Sequence, residues 1–416
     1  NSVVIGALAG DALTTGEGNV AVGKAALSTE TTGGKNTAIG ARSQEDVNNS
    51  GNGNNVSVGF ESMLNATTAV ANTAIGSSAI GDGILTGDFN TAVGYLSGFD
   101  LVSGYDNVLV GAKAGTNLNT GFGNIAVGKE ALETSPDGLH NTAIGYQTLQ
   151  DYNDGSTNGH NTAVGSRSQL QATTGEFNTS LGSLSMGAGV AEGNYNTAVG
   201  YQSGRDQTSG TENTFLGAHS GMGVSTGTHN VGVGMQTMQN TTVGIQNTAI
   251  GTYALFTNVD SSQNVAVGYE ALRMLEPDSA VNSLNVAVGY RAGKVMTTGV
   301  HNTLLGASSG TALTTGYDNT FVGSKAGDAS TVGVANTALG KDALTTSVDG
   351  NFNTALGYKA LEDYEDGAGN GHNTAVGASS QLNATTGEFN TSLGSLSMGL
   401  GVATGDYNVA LGYKAL

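Results

Sequence analysis

The chain contains no cysteine and no tryptophan, and only two of its 416 residues are proline. Without cysteine there are no disulfides and no thiolate metal sites. Charged residues make up only 11% and aromatics 6%. No apolar run approaches the ~18 residues of a membrane span. Basic residues are scarce: 14 Lys and Arg stand against 33 Asp and Glu, a formal net charge of −19. Nothing here neutralises phosphates, which argues against a nucleic-acid partner. The acidic surplus suits a water-exposed, self-repelling surface. No signal peptide opens the chain. It begins on NSVVIG and ends on GYKAL, both inside the pattern described next, and so reads as a window from a longer chain.

Glycine is what the chain has in excess, at 67 residues. Beside it Asn, Thr and Ala dominate. Such a composition without order would indicate disorder, but the order here is strict. A template N-[TV]-A-[VIL]-G-x-x-[AST]-z recurs 24 times. Numbering each copy from its Asn, the position-five glycine falls at Gly23, Gly40, Gly59, Gly76, Gly165 and Gly377, among others. Of the 23 intervals, sixteen are 17 residues and the rest 18 to 21. Every insertion lies between position nine and the next Asn, as do Pro136 and Pro277. Insertions and prolines mark loops, and the constant part marks strands. No composition shift divides the array, so residues 1–416 read as one continuous repeat domain. A block from Gly159 also returns from Gly371, 212 residues later.

Position two is Thr, Val or Ile in every copy, and position four is Val, Ile or Leu. These β-branched residues favour an extended strand. A period near 17 is too short for a helix pair. The fold class expected is therefore all-β: a β-solenoid, a parallel β-roll of about 24 coils. Coils about 4.8 Å apart would give a rod of roughly 110 Å. Positions two and four share one strand face and, being aliphatic, are expected to fill the coil with the small residue at position eight. Position five reads as a turn glycine with positive φ, and the Asn as a turn residue able to stack into a ladder.

Position three, expected to point outward, carries the strongest correlation. It is large at Val4, Leu109, Phe215, Leu304 and Phe321, and in those coils position nine is always glycine: Gly10, Gly115, Gly221, Gly310 and Gly327. Where position three is small, position nine is usually Leu or Met. Such volume compensation marks a packed contact. Placed outside the coil, it implies an apolar stripe that a second copy of the chain would cover.

NTAIG and NVAVGYEAL resemble the head repeats of YadA-like trimeric autotransporter adhesins, and NTAVGYxAL…TTG is similar to repeats of phage-type tail fibres. The resemblance covers essentially the whole chain. It implies a left-handed parallel β-roll, three rolls packed about a threefold axis, with Val22, Ile39 and Val58 filling the roll. It further implies a homotrimeric structural segment of an extracellular fibre or adhesin, on a cell surface or a virion. The 17-residue coil is longer than the usual adhesin coil.

Chemistry is sparse. GxxxxG spacings occur, but no Lys-Ser/Thr follows one, so no phosphate loop is expected. The six histidines lack metal spacing, and five precede the repeat Asn as turn residues. Two acidic loops offer weak calcium candidates, Asp151, Asn153 and Asp154 in one and Asp363, Glu365 and Asp366 in the other. They lack EF-hand spacing, so no cofactor is assigned. Glycosylation matches such as Asn65 and Asn178 follow from a chain rich in Asn and Thr. Carboxylates sit in loops that change from coil to coil, which does not suit glycoside hydrolysis, and no enzyme activity is expected. Thr at position two could form an ice-binding ladder, but Val or Ile replaces it in nine of 24 copies, and an interior row fits the pattern better. The alternative function is receptor or glycan binding by a tyrosine row: Tyr95, Tyr146, Tyr201, Tyr269, Tyr290, Tyr358 and Tyr413.

Overall fold

A computed structural model describes residues 1–153, 159–277, 282–364, 370–401 and 404–416. The chain divides into two compact units, Asn1–Gly210 and Thr211–Leu416. Among the described residues each unit holds twelve three-residue strands and no helix, β1 (Val3–Ile5) to β12 (Thr197–Val199) in the first and β13 (Thr214–Leu216) to β24 (Val409–Leu411) in the second. Every strand is positions two to four of one repeat. Neighbours pair in parallel and in strict register, as where Val20, Ala21 and Val22 face Thr37, Ala38 and Ile39. Each repeat is thus one turn of a parallel β-solenoid, and like residues stack on like.

The strand face is the reverse of the expectation. Position three points inward and is buried, as at Ala21, Ala38, Leu109, Phe215 and Phe321. Positions two and four face outward. Ile39 is 39% exposed and Leu305 45%, while Val22 and Val58 are half-buried; these residues do not fill the roll. The reason is space. The Asn of position one and the residues at eight, nine and twelve also turn inward, and together they leave room opposite the strand for a methyl group in most coils. Leu27, Leu132 and Leu149 at position nine, and Leu101, Leu118 and Tyr152 at position twelve, are the large members of this interior.

Volume compensation therefore operates inside the coil, and it reaches across two coils. A Cβ on Gly115 would lie 2.8 Å from Leu109, and one on Gly98, in the preceding coil, 2.9 Å from the same side chain. Leu304 is flanked in the same way by Gly293 and Gly310, at 2.8 and 2.9 Å. Gly221 and Gly327 have no room for a side chain beside Phe215 and Phe321. A polar version occurs three times: Gln44, Gln169 and Gln381 at position nine donate through Nε2 to Ser57, Ser180 and Ser392 at position three of the next coil, at 2.9, 3.0 and 2.9 Å.

The position-five glycines serve two constraints at once. Gly23, Gly40, Gly59, Gly76, Gly165 and Gly377 have φ between 127° and 144°, a region essentially closed to side chains. A Cβ at Gly111 would also lie 2.5 Å from the carbonyl oxygen of Gly128 one coil on. Positions seven, nine and seventeen are left-handed too, with non-glycine residues such as Lys113 at φ 60°, Leu132 at 52° and His140 at 54°. That conformation costs roughly 1 kcal/mol each. Inter-coil hydrogen bonds hold it, from Lys113 N to Tyr95 O at 2.8 Å, Leu132 N to Thr148 O at 2.9 Å and His140 N to Phe122 O at 3.1 Å.

The buried Asn column ties coil to coil. Asn124 Oδ1 accepts the backbone N–H of Asn141 at 2.9 Å, and Asn124 Nδ2 donates to Gly138 O at 2.7 Å. Where twenty residues separate two Asn, the bond persists: Asn161 N donates to Asn141 Oδ1 at 3.0 Å. The inserted residues therefore leave the ladder intact.

The interior packing predicts a compensation experiment. Leu109→Ala alone should cost about 2–4 kcal/mol through the cavity it opens. Gly115→Leu alone should also destabilise, because the new side chain meets Leu109. The double variant recreates an Ala–Leu coil and should recover most of either loss, as read from urea unfolding of the three variants.

Candidate functional site

Among the described residues, four features stand out as places where this solenoid could meet other molecules. The first is the outward strand face. Position four forms an unbroken aliphatic column in each unit, exposed at Ile39, Ile75, Ile144, Leu216, Leu305 and Leu393. Thr, Val or Ile of position two runs beside it. The apolar stripe inferred from the sequence is therefore this row, and the position-nine row is core. An ice-binding ladder can no longer be set aside as an interior row; what stands against it is the aliphatic residue at every position four.

The second feature is the tyrosine row at position six. All seven tyrosines are exposed, from 39% at Tyr146 to 69% at Tyr413. Cations lie over several rings. Lys129 and Arg167 sit 5.7 and 5.8 Å from the centroid of Tyr146, and Lys341 and Lys359 both sit 5.7 Å from that of Tyr358. These rings extend the wall of the turn and anchor long side chains of adjacent coils.

The third is an ion cluster in the second unit. Glu270 is almost fully buried, and its carboxylate meets Arg273 at 2.8 Å and Arg291 and Lys294 at 2.9 Å. Burial opposes its charge most strongly. Hydrogen bonds from Lys294 and Arg291, with the charges of Lys294 and Arg273, together outweigh burial and hold the carboxyl below its ordinary value of 4.5. The same guanidinium groups lie over Tyr253 and Tyr290, so Glu270 organises an Arg–aromatic patch. Elsewhere the acid-rich surface works against itself. Partial burial and the charge of Asp82 raise the Asp100 carboxyl, and partial burial and Glu133 raise that of Asp151.

The fourth is a ladder of rings at the turn before the strand. Tyr105, Phe122, His140, His160, Phe177 and Tyr195 come from six consecutive coils, with centroids 4.5 to 5.1 Å apart. The planes are near parallel, with one break of 87° between Phe122 and His140. In the second unit Phe352, His372, Phe389 and Tyr407 form a shorter ladder at 4.8 to 5.0 Å. Three of the five histidines read as solvated turn residues are thus stacked rings. The other two pair with carboxylates, His229 with Glu212 at 3.0 Å and His301 with Asp318 at 3.3 Å.

Of the calcium candidates, Asp154, Glu365 and Asp366 lie outside the described residues. Asn153 and Asp363 are exposed, as is Asp151 apart from the partial desolvation of its carboxylate. Among the described residues no group of three or more His, Asp or Glu could hold a metal ion, and no helix is long and apolar enough to cross a membrane. Comparison with known proteins returned no matching family model and no matching curated sequence.

The Glu270 cluster sets an acid limit on the second unit. A carboxyl whose folded pKa is depressed contributes stability above its unfolded pKa and loses it as pH falls through the folded one. Glu270→Gln should therefore lower stability by about 1–2 kcal/mol at pH 7. The gap to wild type should close as pH drops below about 4.5, as measured by urea unfolding across pH.

Proposed function

We propose that the chain is a non-catalytic structural segment of an extracellular fibre or adhesin, on a cell surface or a virion. In this reading it is a stiff β-roll, left-handed as in the resembling families, that packs on two further copies of itself about a threefold axis. The observation that carries this is the outward strand face. In each unit its aliphatic column is about 50 Å long and 10 Å wide, on the order of 500 Å². That lies at the upper end of what soluble monomers leave open. A column in which every coil repeats the same residue types suits a neighbour with the same repeat, aligned along the same axis. The net charge of −19 keeps the remaining surface soluble. Strict register and a hydrogen-bonded interior supply stiffness, and the loops between position nine and the next Asn supply the variable surface.

Receptor or glycan binding by the tyrosine row is the weaker reading. A sugar needs an open ring face, whereas Tyr146 and Tyr358 each carry two cations at their rings. A glycan array on the intact chain separates the two readings, with silence favouring the structural one.

Sedimentation equilibrium tests the assembly. Wild type should give three chain masses. Ile144→Lys with Leu305→Lys places one charge on the exposed face of each unit and should give single chains whose circular dichroism is unchanged. A wild-type chain that sediments as a monomer removes the proposal.

A further inference from the structure

The longer ring ladder ends in a hollow that neither the interior packing nor the strand face uses. At Tyr105 a surface depression opens toward the preceding coil, lined by Thr86, Asp88, Phe89, Ser103, Tyr105 and Asp106. Phe89 is 62% exposed there. Asp88 Oδ1 accepts the N–H of Val70 at 2.7 Å, which fixes that carboxylate beside the hollow. Two carboxylates and two aromatic rings in one depression suit an aromatic cation, which gains from both charge and ring.

The ladder itself selects shape. Because its rings stack on one another, their faces are occupied and mostly their edges look outward. Ring edges carry the positive part of the quadrupole and favour the face of another π-system. They do not offer the ring face on which a sugar stacks. Six rings at 4.5 to 5.1 Å make a strip about 25 Å long. The backbone beneath it is fixed by coil stacking, so little order is lost on binding.

We propose that Tyr105–Tyr195, with the Asp88–Asp106 hollow at its end, is a binding strip for elongated planar aromatic molecules carrying a cationic end. The plane lies along the ring edges, and the charge sits in the hollow. The repeated block supplies an internal comparison. Rings stand at Phe352, His372, Phe389 and Tyr407, 212 residues after His140, His160, Phe177 and Tyr195, but Val334 stands in place of Phe122, and the counterparts of Asp88 and Asp106 are Val300 and an Asp318 that pairs with His301 at 3.3 Å. The second ladder is therefore the weaker strip. The turn column is separate from the strand face, so the proposal does not rest on the trimer.

Titration of the full chain with thioflavin T, followed by fluorescence and equilibrium dialysis, tests this. Saturable binding that weakens with added salt is expected. Asp88→Asn with Asp106→Asn keeps the Oδ1 acceptor for Val70, and should weaken binding about tenfold and flatten its salt dependence. Phe177→Ala should weaken it several-fold. Tyr201→Ala and Tyr358→Ala, outside the ladder, should leave it unchanged. Should Phe177→Ala alter the circular dichroism, the aspartate pair still decides. Absence of saturable binding, or binding indifferent to the aspartate pair, overturns the proposal.

Discussion

The buried asparagine column is the interaction on which the rest of the solenoid depends. Backbone bonds between coils lie all round the turn, as from Lys113 N to Tyr95 O and from Gly115 N to Ala131 O. The Asn amide is the side-chain tie that recurs in coil after coil at the start of the strand. Its oxygen takes the next Asn N–H, and its nitrogen reaches the carbonyl that ends the loop, as Asn319 does with Asn336 N at 3.0 Å and Gly333 O at 2.7 Å. Aspartate lacks the donor and would bury a charge. Serine reaches both partners only at longer distances: Ser2, at position one of the first described coil, takes the N–H of Asn19 at 3.2 Å and donates to Gly16 O at 3.5 Å. With the Asn column fixed, position three must fall inside, position five must turn without a side chain, and positions two and four must look out.

The parts of this arrangement visible in the sequence are those that depend on period. Strand positions, turn glycines and tolerant loops follow from an unbroken 17-residue ruler. Which strand face is inside does not follow from it. Val and Ile signal an extended chain, and their usual place is a core, yet here the core is too thin for them. Volume compensation between positions three and nine revealed a packed contact, but complementarity is the same whether the contact lies within a coil or between chains. Gly98 and Gly293 held the missing information. Their own coils carry Ala92 and Ala287, so each glycine makes room for the large residue of the next coil, and only an interior stacked along the axis gives that relation.

Two further features were hidden for different reasons. The position-twelve column varies from Leu118 to Tyr152 to Glu30, so it shows no residue-type signal; Glu30 is tolerated because its carboxylate accepts Gly33 N–H at 2.7 Å and Asn49 N–H at 3.0 Å. The ring ladders were present as Phe, Tyr or His in successive copies, directly before the Asn or, at Tyr105 and Phe122, two residues before it. Read one residue at a time these are turn residues; read along the column they are a stack. In a solenoid the meaningful neighbour of a residue lies one period away, and both the interior and the surface are properties of columns.

The weight placed on the asparagine column is tested most directly by urea unfolding of Asn124→Ala beside Thr142→Ala. Asn124 lies within the ladder, and its loss leaves Asn141 N–H and Gly138 O buried without partners. The expected loss is about 2–4 kcal/mol. Thr142 lies one coil on and half-buried on the outward face, and its truncation should cost no more than about 0.5 kcal/mol. Equal and small losses at the two positions would contradict the account.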